Sequence, residues 1–258
     1  MTSKEFVLML SKNQIKLITS LRQKKFRNQH QLFFAEGVKT VNELLDSKFK
    51  LNRLFTTKDD FDVSTDLQTI ITPNELKKIS ALKTANNALA LFEIPKEQDV
   101  DYNNLVVALD NVREPGNLGT IIRLCDWFGV KDLICNTETV DCYNPKAIQA
   151  SMGSITRVNV VYNDLKQILK EEETTSFGAF MNGENIYDET LPQKGIIVLG
   201  NEAKGINSEL EALIHRRISI PRFGNLQLTE SLNVANATAI LLSEFKRRNS
   251  LLKGKINK

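Results

Sequence analysis

Three short segments gather the residues best suited to chemistry. They are Asn111-Val-Arg-Glu-Pro-Gly-Asn-Leu-Gly-Thr-Ile-Ile-Arg123, Gly200-Asn-Glu-Ala-Lys-Gly205, and Pro221-Arg-Phe-Gly224 followed by Glu230-Ser-Leu-Asn-Val234. Each follows an apolar run, ending at Leu109, Leu199 or Ile220. Glycine lets a backbone approach a ligand closely, and the amino end of a helix presents free N–H groups. Such segments suit a ligand held by main-chain groups. Singly, each residue also has an ordinary structural reading. Gly200 and Gly224 suit turns, Glu202 balances Lys204, and Arg123 suits a boundary residue snorkelling out of a helix pattern of Leu118, Ile121, Ile122, Cys125 and Phe128. Gly116-x-x-Gly119 has the spacing of neither a dinucleotide fingerprint nor a phosphate loop. His30 and His215 form no metal constellation, and Cys125, Cys135 and Cys142 lack any CxxC spacing, so neither a metal site nor a disulfide framework is expected.

The elements that must position these segments alternate between short apolar runs and amphipathic stretches. Strands are expected at residues 105–110, 132–135, 158–162, 177–181, 196–199 and 218–220. Helices are expected at 117–128, 145–152, 165–172, 208–215 and 231–248. Runs such as Ile196-Ile-Val-Leu199 predict a mostly parallel sheet buried on both faces, whose ligands sit at the carboxyl ends of the strands. Ahead of it, residues 1–95 read as a small α/β domain that opens on a capping box, Ser11 to Gln14, and carries the basic cluster Arg22, Lys24, Lys25 and Arg27. The polar residues 93–104 read as a linker, leaving a second domain over 104–258.

Composition narrows the class. The 258 residues carry 34 Lys+Arg against 31 Asp+Glu and are 41% hydrophobic, which excludes a disordered tail, a collagenous repeat or a supercharged chain. The net charge of +3 hides an asymmetry: residues 1–95 hold 15 Lys+Arg and 10 Asp+Glu, net +5, and the remainder is net −2. A polyanion met by the front half fits that division, and scattered surface lysines fit it as well. The run Phe6-Val-Leu-Met-Leu10 is too short for a signal-peptide core, and no stretch approaches the ~20 apolar residues of a membrane span, so a cytoplasmic protein is expected.

Taken as an ordered set, Asn117-x5-Arg123, Leu199-Gly-Asn-Glu202 with Gly205, and Ile220-Pro…Gly224…Ser231-Leu-Asn-Val234 resemble motifs one to three of the SpoU (TrmH-like) branch of the SPOUT RNA methyltransferases. Phe33-Phe-Ala-Glu-Gly37 after a basic helix resembles that family's ribosomal-protein-like RNA-binding domain. The resemblance implies a sheet tied in a trefoil knot and S-adenosylmethionine held by Leu199, Gly200, Ile220 and Leu232. It further implies transfer of the methyl group to a ribose 2′-hydroxyl of RNA. Arg123 would carry the key catalytic role, with Asn117, Glu202, Ser231 and Asn233 as partners and Glu202 holding the guanidinium. The very high pKa of arginine argues for orienting a phosphate and stabilising the developing alkoxide rather than for base action. Arg22, Lys24, Lys25 and Arg27 would meet RNA phosphates. Ribosomal RNA is the expected substrate and transfer RNA the alternative. Homodimerisation is implied too, in keeping with a last helix that is apolar on nearly every side. The loop 225–230 is longer than in many members of the family. Two other readings are a non-catalytic RNA-binding or ribosome-assembly protein of this fold and a small-molecule α/β enzyme.

Overall fold

A computed structural model describes residues 9–226 and 231–252; Phe6 to Leu8 and residues 227–230 of the long loop lie outside the described residues. Packing separates two units, Met1–Lys96 with Asp141–Thr156, and Glu97–Val140 with Arg157–Lys258. The first unit holds α1 (Lys12–Ser20), α2 (Lys24–His30), β1 (Leu32–Glu36), α3 (Val38–Leu45), β2 (Leu51–Thr56), β3 (Gln68–Ile70), α4 (Pro73–Ile79), β4 (Ala88–Glu93) and a later helix, α6 (Pro145–Ser151). Its strands run β1-β4-β2-β3, with β4 antiparallel to both neighbours and β2 parallel to β3. Alternation along β1 serves two layers. Phe34 joins Ile18, Leu21, Phe55, Leu76 and Ile79 in one core. Phe33 turns to the other face, where its ring centroid lies 5.5 Å from that of Phe49 and 4.7 Å from that of Tyr143. Asp141–Thr156 thus completes the first unit, although a boundary within residues 93–104 would assign it to the second.

The second unit comprises β5 (Leu105–Leu109), α5 (Pro115–Trp127), β6 (Asp132–Cys135), β7 (Asn159–Tyr162), α7 (Leu165–Glu171), β8 (Ser176–Asn185), β9 (Gly195–Leu199), α8 (Ser208–Glu211), β10 (Arg216–Ser219) and α9 (Val234–Leu252). Its sheet runs β10-β8-β9-β5-β6-β7 with every pair parallel. The strands β5, β6 and β9 are buried along their whole length, as the apolar runs of β5 and β9 require, and β6 begins with a buried Asp132. Val100 and Tyr102 of the expected linker pack against this unit's core. The unit departs from the expected elements at its edge, where β8 runs on to Asn185 and β10 begins at Arg216, shortening α8 to Ser208–Glu211. Gly183 permits this pairing, because a Cβ there would lie 2.5 Å from the Ile218 carbonyl carbon. The last helix buries Val234, Leu241, Leu242 and Phe245 and packs on α5, so its own unit covers these apolar positions. No helix of the described residues is long and apolar enough to cross a membrane.

One member of the basic cluster is not a surface residue. Arg27 is 1% exposed; its Nε donates to Asp141 Oδ2 at 2.7 Å, its Nη2 to the same oxygen, and its Nη1 to the Leu21 carbonyl at 2.8 Å. The expectation that Arg27 meets RNA phosphates is therefore corrected: its guanidinium is spent on a buried pair within the unit. Arg22, Lys24 and Lys25 remain exposed, with the Arg22 Nη2 donating to the Ser80 carbonyl at 2.7 Å. Removing one partner of a buried pair leaves an uncompensated charge, which costs about 3–5 kcal/mol. Asp141→Ala is accordingly expected to lower stability by that amount in urea unfolding. The double variant Arg27→Met with Asp141→Leu should regain much of the loss.

Candidate active site

The order of strands fixes where a ligand can enter. From β5 the chain builds outward through β6 and β7, then returns to the other side of β5 with β9 and β8, so the carboxyl ends of β5 and β9 flank the point where the sheet's winding reverses. Leu109 and Leu199 are register partners, and the Asp110 N–H donates to the Leu199 carbonyl at 2.8 Å. The first and second polar segments therefore start side by side. Asp110 is buried and ties the loops together, accepting from Asn136 Nδ2 and from the Asn207 N–H, each at 2.7 Å. Burial pushes its carboxyl above the usual range, against the pull of the Asn207 hydrogen bond.

Asn201 shapes the second segment. Its main chain exchanges two hydrogen bonds with Gly205, its Oδ1 accepts from the N–H groups of Ala203 and Lys204, and its Nδ2 donates to the Asn111 carbonyl at 2.8 Å. The loop closes so tightly that a Cβ on Gly200 would lie 2.2 Å from Gly205 and Ile206 main-chain atoms. Sequence reasoning missed Asp110 and Asn201 as organisers of the site. The available signal was a run of polar residues directly after each buried strand.

Three of the five expected catalytic residues form one chain of side-chain hydrogen bonds. Asn117 Nδ2 donates to Glu202 Oε1 at 2.9 Å, and Asn233 Nδ2 donates to Asn117 Oδ1 at 3.0 Å. Asn233 also begins α9, its Oδ1 accepting from the Ala235 N–H at 2.9 Å and the Asn236 N–H at 3.3 Å. Three segments far apart in sequence are thus joined atom to atom. Ser231 is exposed and lines the cavity beside this chain. Arg123 is exposed and takes no part in it. Six residues beyond Asn117, it stands roughly 120° around the helix axis at 3.6 residues per turn. The expected hold of Glu202 on Arg123 is not among the contacts of the described residues, where the Glu202 Oε1 accepts from Asn117.

Beside the chain lies a cavity of about 1200 Å³. Leu199, Gly200, Ile220 and Leu232, the residues expected to hold a cofactor, all line it, as do Glu202, Ile218, Phe223 and Leu241. Among the described residues no group of His, Cys, Asp and Glu side chains is arranged to hold a metal ion. The three cysteines are buried and none is in a disulfide, and burial pushes the Cys125 thiol up to about 12, which makes it an inert packing residue.

Two substitutions test this framework by stability alone. Gly200→Ala forces a side-chain carbon into main-chain atoms and should cost about 1–3 kcal/mol, read as a lowered unfolding midpoint. Asn233→Ala removes the cap and should cost about 1 kcal/mol, whereas Asn233→Asp keeps the capping oxygen but gives up the donor to Asn117 Oδ1, so it should recover only part of that loss.

The comparisons with known proteins agree with this geometry. Residues 104–243 match the model of the SpoU rRNA Methylase family, and residues 12–90 match that of the MRM3-like substrate binding domain. The 23S rRNA (guanosine(2553)-2'-O)-methyltransferase RlmP of Bacillus subtilis (strain 168) is 29% identical over 242 residues, covering 90% of this chain and 96% of its own. A TrmH-family protein from Porphyromonas gingivalis superposes with a TM-score of 0.85 at 38% identity, over 93% of this chain and all of that one. The AdoMet-bound rRNA methyltransferase from Sinorhizobium meliloti gives 0.82 at 27% identity, over 93% of this chain and 97% of that one. With its three polar segments joined by side-chain hydrogen bonds and its family model spanning residues 104–243, the chain belongs to the SpoU rRNA methylase family.

Proposed function

We propose that this protein transfers a methyl group from S-adenosylmethionine to a ribose 2′-hydroxyl of ribosomal RNA. The observation that carries the reading is the hydrogen-bonded chain Glu202–Asn117–Asn233 at the rim of a cavity lined by Gly200, Ile220 and Leu232. The cavity fits the cofactor in chemistry. Leu199, Ile218, Ile220, Leu232 and Leu241 offer apolar walls to an adenine ring, and strand ends offer main-chain donors and acceptors to its edge.

S-adenosylmethionine supplies an electrophilic methyl group on a sulfonium. A ribose hydroxyl is a poor nucleophile and must lose its proton as its oxygen attacks. Holding it in line can remove up to roughly 7–11 kcal/mol of the barrier. Asn117, held from both sides by Glu202 and Asn233, fixes the amino ends of α5 and α9 around the reacting position. Arg123 projects into solvent, where its planar fork is available to orient the phosphate next to the target ribose and to stabilise the developing alkoxide.

The reading includes a homodimer. Trp127, 80% exposed on α5, gives an apolar anchor on a helix packed against α9. It also includes a trefoil knot, an inference from family membership in keeping with β10 lying beside β8 and α9 returning to α5. The reading places the protein in the cytoplasm, as for a bacterial ribosomal RNA enzyme. Arg123→Ala is expected to abolish methyl transfer to ribosomal RNA while calorimetry shows nearly unchanged S-adenosylmethionine binding. Normal turnover in that variant would sink the assignment.

A further inference from the structure

The charge of the first unit is concentrated rather than scattered. Residues 9–31 and 72–87 carry nine Lys and Arg and a single acid, Glu75; the rest of residues 1–95 carry six Lys and Arg and nine acids. The two basic stretches contain α1, α2 and α4. The helices α1 and α4 lie alongside one another in the same direction. At one end the Leu10 N–H donates to Glu75 Oε1 at 2.9 Å, and at the other Arg22 Nη2 donates to the Ser80 carbonyl. Both helices press apolar stripes into one core, Ile18 and Leu21 from the first chain segment and Leu76 and Ile79 from α4. Their opposite sides therefore face the same way, and there Lys12, Lys16, Lys77 and Lys78 are exposed.

The one acid in these stretches is withdrawn from that surface. Glu75 is 8% exposed, with Oε1 taken by Leu10 and Oε2 accepting from the Thr72 N–H at 3.0 Å and from its hydroxyl at 2.9 Å. These bonds hold its carboxyl below the usual range, so it stays ionised and engaged inside the capping box. Elsewhere on the unit, acids accompany the cations: Asp59, Asp60, Asp62 and Asp66 fill the connection from β2 to β3, and Lys50 pairs with Glu93 at 2.7 Å. Cations within about 10 Å of one another reinforce a common field at 0.1 M salt. A surface of lysines without exposed acids among the described residues of these two stretches recognises a repeating polyanion rather than a single shaped ligand.

We propose that the outer face of α1 and α4 is the docking surface for the RNA sugar–phosphate backbone, a role that rests on the ribosomal RNA reading above and assigns it to residues outside the Arg22–Arg27 cluster. The face supplies grip and register, not sequence readout.

The test measures binding of a ribosomal RNA transcript to the full chain across a salt series. Lys12→Gln, Lys16→Gln, Lys77→Gln and Lys78→Gln combined should weaken binding at least tenfold at 0.15 M salt and lower the slope of log affinity against log salt by about 3. The two helix-wise pairs should each remove about 1.5 of that slope, which keeps the test decisive should the fourfold variant fold poorly. A control with Lys39, Lys50, Lys58 and Lys146 changed to Gln loses the same charge elsewhere on the unit and should bind as wild type. An unchanged slope in the helix variants, or an equal loss in the control, overturns the proposal. So does loss of binding to phosphatidylserine vesicles with RNA affinity intact, which would mark a membrane surface instead. Calorimetry with S-adenosylmethionine on the same preparations separates the two readings: absent cofactor binding defeats the methyltransferase assignment, while the salt slopes alone decide the docking face.

Discussion

The candidate site depends first on the parallel pairing of β5 with β9. Because Leu109 and Leu199 are opposite one another, the two strands release their loops at the same level, and Asn201 can reach the Asn111 carbonyl while Glu202 reaches Asn117. Side chains alternate across a strand, so a slip of one residue would turn every core position of β9 to the wrong face and carry Glu202 away from α5. The unbroken burial of both strands makes such a slip costly. In this way an apolar requirement, that Leu105–Leu109 and Gly195–Leu199 be covered on both faces, sets the position of polar atoms that contribute nothing to the core.

Electrostatics divides along similar lines. Within the second unit the organising contacts are between carboxamides, main-chain groups and the carboxylates of Asp110 and Glu202, a network that positions loops without cations. In the first unit, cations are placed according to how much water they keep. Arg27 is dehydrated and matched by Asp141, whereas the lysines of α1 and α4 keep their heads in solvent. An arginine tolerates burial because its fork can satisfy several acceptors at once, here a carboxylate and the Leu21 carbonyl.

Much of this was legible in the residues. The apolar runs announce the buried strands, Ser11 and Gln14 announce the start of α1, and Gly200, Gly205 and Gly224 share one cavity with Leu199, Ile220 and Leu232, whereas Gly116 and Gly119 do not line it. Other features were out of reach because their causes are remote. Nothing near Arg27 separates it from Lys24 or Lys25; its burial is decided by a carboxylate 114 positions away. The same distance hides the allegiance of Asp141–Thr156, which reads locally as one more crossover of the parallel sheet. Glu202 and Arg123 look complementary by charge, but helical phase turns Arg123 away from the face that Asn117 presents. The early end of α8 and the length of β8 follow from a strand pairing at the sheet edge that no local pattern encodes.

The return of Asp141–Thr156 to the first unit also bears on how the chain is made. During synthesis the amino-terminal segment emerges first, yet Phe33 lacks Tyr143 and Arg27 lacks Asp141 until a further stretch of more than a hundred residues has followed. At about 5–20 residues per second, that interval is on the order of ten seconds. The early half must wait with an unneutralised guanidinium and an uncovered aromatic face, so the ribosome cannot release a finished first unit before β5, α5 and β6 of the second have been translated.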